Sequence, residues 1–297
     1  MSFPAVPRSL YPFEGRYFDR DGLRYHYLDE GSGDPVVMVH GNPTWSFYYR
    51  DLVLSLRKSH RALAPDHIGC GLSDKPDDDA YPYTLSQRIE DLEAWIESLA
   101  LEQPVKLVGH DWGGMIAMGW AARHPESVAS IVLMNTAAFH LPPDMKMPAS
   151  LAFVRGTRLA SWMVGNLNLF ARGAAWLAPA RPLAKPLRDA YCAPYDTPAH
   201  RIATLRFVQD IPLTPGDPAY ETVSEIEASL SRFGNTPVLL IWGEKDFVFK
   251  PAVLSIFEEL WPHAEAHRFP EAGHYVLEEA SSDVIPIVQA FLSKNPS

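Results

Sequence analysis

Gly109-His110-Asp111-Trp112-Gly113-Gly114 sets one carboxylate among small residues, between the apolar run Val105-Lys106-Leu107-Val108 and the helix-forming stretch Met115 to Ala122. Strand, sharp turn and helix in that order make a nucleophile elbow, whose central side chain stands on a strained turn at the C-terminal edge of a sheet. The glycines permit the tight bend and the close approach of helix to strand. Serine is the usual occupant, and aspartate changes the chemistry. A carboxylate is ionised at neutral pH without a base, and it displaces a leaving group from an sp³ carbon to give an alkyl ester.

Such an ester needs a base for its hydrolysis, or a reason to collapse unaided. Of the chain's eleven histidines, His274 stands out. It follows Gly273 in a loop after the last short strand, where the third member of a triad falls in chain order on this kind of sheet. His110, beside the candidate nucleophile, is expected to face the other side of the elbow and is read as structural. An imidazole base needs a carboxylate to fix its tautomer and stabilise its cation. Asn135-Thr136-Ala137-Ala138-Phe139, after the strand Val128 to Met134, offers no acid. Trp242-Gly243-Glu244-Lys245-Asp246 offers two, and Asp246 is favoured because Glu244 lies closer to its strand. Finally, His40-Gly41-Asn42-Pro43-Thr44-Trp45 directly follows an apolar strand, where half of an oxyanion hole forms, with the residue after the nucleophile completing it. Those positions carry Asn42 and Trp112, whose side chains both offer N–H donors. Two donors beside a nucleophilic carboxylate suit an anionic leaving group.

These residues need a scaffold that brings strand ends together. Tyr17-Phe18 and Leu23 to Leu28 read as a hairpin around Asp21-Gly22. Pro35 to His40 is apolar almost throughout, as in a parallel strand covered on both faces. Strands at Arg61 to Pro65, Val105 to Val108, Val128 to Met134, Val238 to Gly243 and Glu265 to Phe269 alternate with helices. Those helices are expected at Tyr48 to Leu56, Leu85 to Leu99, Ala252 to Leu260 and Val284 to Leu292. The alternation predicts a doubly wound, mostly parallel α/β sheet. It stops between Asn135 and about Val223, where proline-rich sequence and helical pieces at Ala149 to Val164, Asn168 to Leu177, Ala184 to Tyr191 and His200 to Val208 read as a cap. The expected division is a core of residues 1–135 and 224–297 and a helical cap of 136–223. Trp162, Phe170, Trp176 and Phe207 are expected to line the cap's apolar underside.

At 297 residues, 47% apolar and 21% charged, the chain fits a globular α/β protein with one large core. A formal charge of −10 and the lack of a concentrated basic stretch argue against a nucleic-acid partner. Cys70 and Cys192 are too few for a disulfide framework, match no metal site, and point to a reducing cytoplasm. No 18-residue apolar run suggests a membrane span. None of the motifs asks for a cofactor.

The four motifs around Asn42, Asp111, Asp246 and His274 resemble, in order, those of the haloalkane dehalogenase family of α/β hydrolases, over about Tyr11 to Phe291. The resemblance implies Asp111 as nucleophile, His274 as base, Asp246 as its acid, and Asn42 with Trp112 as holders of the departing halide. Epoxide hydrolases are similar but usually carry phenylalanine where this chain has Asn42. The Asn42-type loop with an acid on the later strand looks like the family's third subgroup. Pro65 to Pro76, Asn135 to Pro142 and Arg201 to Pro212 are closer still to the β-lactone decarboxylases of bacterial long-chain olefin biosynthesis. That likeness implies conversion of a cis-β-lactone to a cis-alkene and CO₂, an apolar small-molecule substrate, no cofactor, and association with other enzymes of olefin biosynthesis. Haloalkane hydrolysis to alcohol and halide is the alternative on the same residues. A non-catalytic small-ligand receptor is the alternative from another class, against which the complete triad argues. Attack of Asp111 on the lactone carbonyl, rather than on Cβ, stays open at this level.

Overall fold

The computed structural model describes residues 6–142 and 145–297. Eight strands form one sheet: β1 (Arg16–Arg20), β2 (Leu23–Glu30), β3 (Pro35–Val39), β4 (Arg61–Pro65), β5 (Val105–His110), β6 (Val128–Met134), β7 (Val238–Gly243) and β8 (Glu265–Phe269). Their spatial order is β1-β2-β4-β3-β5-β6-β7-β8. β2 runs antiparallel to β1 and β4, and the remaining pairings are parallel. The opening hairpin turns at Asp21 and Gly22, both with positive φ (52° and 85°), as a two-residue turn matched to the strand twist requires.

Alternation along the central strands sends apolar side chains into two separate layers. Val37, Val39, Leu107, Ile131, Leu133 and Leu240 join one buried cluster, and Val36, Met38, Val108, Val132, Leu239 and Ile241 join the other. The first layer is covered by α2 (Leu85–Ser98), α3 (Trp112–Arg123), α9 (Tyr220–Ser229) and α10 (Pro251–Leu260); the second by α1 (Arg50–Leu56), α11 (Val276–Glu279) and α12 (Ser281–Lys294). This is the expected doubly wound arrangement, and the near-continuous apolar strands follow from burial on both faces.

Between β6 and α9 lie α4 (Ala149–Gly156), α5 (Arg158–Leu167), α6 (Leu169–Leu177), α7 (Lys185–Cys192) and α8 (Ile202–Gln209). The single helix expected over Ala149 to Val164 is two. Thr157 breaks it by accepting a hydrogen bond from Ala160 N (3.1 Å) as an N-cap. α9 runs across residues 223 and 224, where the cap was expected to end, and its Val223 and Ile226 pack into the layer that holds α3.

The aromatic underside is only half as expected. Phe207 is fully buried and Phe170 packs on a small cluster with Val154, Ala160, Val164 and Val208. Trp162 and Trp176, in contrast, are 56% and 52% exposed. α5 and α6 turn Ala160, Val164, Ala171 and Ala175 inward, small residues that let the helices approach closely, and this leaves the indoles on the opposite side.

Candidate active site

Asp111 occupies the turn between β5 and α3 with φ 53° and ψ −131°, a conformation that costs an L-residue on the order of 1–3 kcal/mol. The surroundings hold it there. A Cβ on Gly113 would fall 1.9 Å from the Val39 carbonyl oxygen, so only glycine lets α3 begin against β3. Thr136 Oγ1 donates to the Asp111 carbonyl from the end of β6, and Asp111 N donates to Asn135 O at 3.2 Å.

The carboxylate is buried and its two oxygens differ. Oδ1 accepts the backbone N–H of Asn42 at 2.7 Å, and the Trp112 backbone N–H also hydrogen-bonds the carboxylate. Oδ2 lies 3.6 Å from His274 Nε2. On the far side of the ring, His274 Nδ1 meets Asp246 Oδ2 at 2.7 Å. Asp246 is fixed in turn by Asn135 Nδ2 (2.9 Å) and by the backbone N–H of Val248 (2.7 Å). Burial lowers the His274 pKa, but Asp246, through its charge and hydrogen bond, and the Asp111 charge outweigh it and hold the imidazole up at about 9. Burial pushes the Asp111 carboxyl up, against the opposing pull of His274 and the Asn42 and Trp112 backbone donors. The raised His274 pKa favours an imidazolium beside Asp111 and Asp246.

The His274 loop is tied down from two directions. His274 N donates to Ala178 O from the segment after α6 (2.9 Å), and His110 Nε2 donates to His274 O (2.8 Å) while its ring stacks on Tyr48 at 4.3 Å. His110 is thus engaged in holding the His274 loop. Glu244 lies at the sheet edge, 3.6 Å from Arg268, and makes no contact with His274.

Asn42 Nδ2 donates to Thr204 O in α8 at 3.0 Å, which leaves its second N–H uncommitted, and its Oδ1 is buried without a partner. The half-buried indole of Trp112 stands 5.5 Å from the Phe207 ring; its N–H has no protein acceptor among the described residues. The loop that carries Asn42 is also held by Trp45 Nε1–H to Ala190 O (3.2 Å) and Tyr195 Oη–H to Thr44 O (3.4 Å). Among the described residues, no group of three or more His, Cys, Asp or Glu is placed to hold a metal. Sequence reasoning missed Asn135 and Thr136 as supports. Their only signal was position, at the C-terminal end of the strand next to the elbow. Thr204 had no local signal, because its part is played by a backbone carbonyl.

An aspartate on the elbow, a buried imidazole–carboxylate pair and a backbone cradle define an α/β hydrolase site, and the family described as the alpha/beta hydrolase fold matches residues 34–281. The chain belongs to that family. It is 50% identical to the cis-3-alkyl-4-alkyloxetan-2-one decarboxylase of Shewanella oneidensis, over 96% of this chain and 90% of the relative. It is 44% identical to the protein of the same name from Xanthomonas campestris pv. campestris, with both chains covered in full. Among solved structures it is similar to the haloalkane dehalogenase DatA from Agrobacterium tumefaciens C58, with a TM-score of 0.84, 28% identity, and 95% and 96% of the two chains covered.

Proposed function

We propose that this chain decarboxylates a cis-disubstituted β-lactone to a cis-alkene and CO₂, with Asp111 as nucleophile. The observation that carries the reading is the 50% identity, over nearly the whole chain, to a protein named as a decarboxylase of an oxetan-2-one, a four-membered β-lactone. Helices α4–α8 serve as a cap over the elbow. Asp111 Oδ2 attacks Cβ, the ring C–O bond breaks, and its electron pair leaves on the ring's own carboxylate. Asn42 Nδ2–H and Trp112 Nε1–H take that anion. Inversion at Cβ sets the new ester oxygen anti to the carboxylate. The C–C bond to the carboxylate then breaks, its electrons form the alkene, CO₂ departs, and the ester oxygen returns to Asp111 as carboxylate. No water is consumed. The imidazolium of His274, 3.6 Å from Oδ2, stabilises the aspartate charge as it reforms.

The same site supports a second reading, hydrolysis of a haloalkane, favoured by the cradle on Oδ1. In an alkyl ester, water attack at Cγ would develop an oxyanion on Oδ1, which already accepts Asn42 N–H. Esterification removes the Asp111 charge, so His274 would lose part of its support and release a proton more readily.

The purified chain is to be given a cis-β-lactone and, separately, a bromoalkane, in ¹⁸O-labelled water. Decarboxylation yields cis-alkene and CO₂, with no label built into Asp111 over many turnovers, and Asp111→Ala abolishes it. Alcohol with label in Asp111, and no alkene from the lactone, would replace this reading with dehalogenation. The reading also includes a cytoplasmic setting, in keeping with the two free thiols, and association with other enzymes of olefin biosynthesis, tested by co-purification.

A further inference from the structure

Helices α4–α6 are built inside out. Their buried positions are Val154, Ala160, Val164, Ala171 and Ala175, with Leu151 and Phe170 half-buried beside them, while Leu159, Trp162, Trp176 and Leu177 stand outward with 61%, 56%, 52% and 72% of their surface exposed. A helix that packs only on its own protein places its large apolar residues inward, and contiguous apolar surface left outside marks an interaction site. The charge pattern is a second, independent anomaly. In a chain of net charge −10, the stretch from Met145 to Arg188 carries seven Lys or Arg and no Asp or Glu, although Arg155, Arg181 and Lys185 pair with Asp217, Glu271 and Asp189 outside it. Arg158 and Arg172, on the same two helices as the indoles, are exposed and form no ion pair among the described residues.

We propose that this outer face of α4–α6 docks on the surface of an anionic lipid bilayer. Trp and Leu beside cations such as Arg158 and Arg172, which have no ion pair among the described residues, are the composition of a helix that lies in a membrane interface. The indoles suit the headgroup level. Each Lys or Arg near an anionic surface is worth about 1 kcal/mol, or roughly fivefold in partitioning. No helix of the described residues is long and apolar enough to cross a membrane, so the contact is peripheral. The cations also explain why the occupant is lipid rather than a second copy: two such faces would meet with like charges opposed. If the reaction proposed above holds, the face sits on the element that covers the elbow, and an apolar lactone would pass from bilayer to Asp111 without entering bulk water.

The test is cosedimentation of the full chain with vesicles of phosphatidylcholine alone and of phosphatidylcholine with phosphatidylglycerol. Binding is expected to need phosphatidylglycerol and to weaken with salt. Trp162→Ser with Trp176→Ser, and separately Arg158→Glu with Arg172→Glu, should each lower partitioning at least tenfold at unchanged circular dichroism and Tm. On the unaltered protein, brominated acyl chains should quench tryptophan fluorescence, which keeps the proposal testable if a variant fails to fold. Three outcomes overturn it: no binding to either vesicle, binding that both variants leave intact, or oligomers that the Trp variant dissociates without lipid binding, which assigns the face to a second copy. Lipid binding is read without turnover, so its failure and that of the proposed reaction are distinguishable.

Discussion

At Asp111 the two carboxylate oxygens have different neighbours, one in a backbone cradle and one toward His274, so in the proposed reaction the departing anion would be held by other donors. Among the described residues Trp112 Nε1–H has no acceptor and Asn42 keeps one free N–H. Trp112→Phe retains the ring that faces Phe207 and removes the donor; loss of one such donor should lower the rate of the first chemical step roughly 10²–10³-fold. An unchanged single-turnover rate would make Trp112 a packing residue. His274 makes a separate, thermodynamic statement. Its folded-state pKa, about 9, lies above the unfolded value near 6.5. The native state therefore binds its proton more tightly, and the stability this gives is fully present below about pH 6.5 and lost as pH rises through 9. Denaturant unfolding of the wild type and His274→Gln should show their difference shrinking by about 2–3 kcal/mol between pH 7 and pH 10. A difference that stays constant over that range would mean His274 is neutral in the folded enzyme.

At the scale of elements, the elbow holds Asp111 at a strained positive φ, which in the proposed reaction would present its carboxylate. Asp111→Ala and Asp111→Gly both delete the carboxylate, so their comparison isolates the backbone. With φ at 53°, the glycine variant should be the more stable by about 1 kcal/mol, after the greater unfolded-state entropy of glycine is deducted. A more stable alanine variant would mean the turn relaxes once the carboxylate is gone. The same strand-turn-helix unit was plainly legible in sequence, as were β4, β6, β7 and β8, whose bounds the structure reproduces to the residue. Buried strands such as β6 and β7 write themselves as short, bounded runs, and an elbow must carry its small residues next to its functional one. The cap was legible only as helical. Its helices bury alanine and expose tryptophan, so the rule that large apolar residues face inward pointed Trp162 and Trp176 the wrong way. Thr204 O, Asn135 and Thr136 reach the site from elements distant in sequence from the residues they touch, and no local pattern records such contacts.

Across the whole molecule, one contact of the helical segment with the rest is made through a buried ion pair, Arg50–Glu278, that Tyr191 joins. Arg50 at the start of α1 donates twice to Glu278 of α11, both bonds at 2.7 Å, and Tyr191 of α7 donates to the same carboxylate at 2.6 Å. α11 begins two residues after His274, so this junction also anchors the loop that carries the imidazole. A charge buried without its partner is costly, while removal of both charges is tolerated. Arg50→Met should therefore destabilise the protein by about 3–5 kcal/mol, and should lower turnover by freeing the His274 loop. Arg50→Met with Glu278→Gln removes both charges and keeps an acceptor for Tyr191. It should regain more than half of the lost stability in urea unfolding. A double variant that regains none of the lost stability would instead show that Arg50 contributes through packing on Phe47, whose ring lies 4.2 Å beneath its guanidinium.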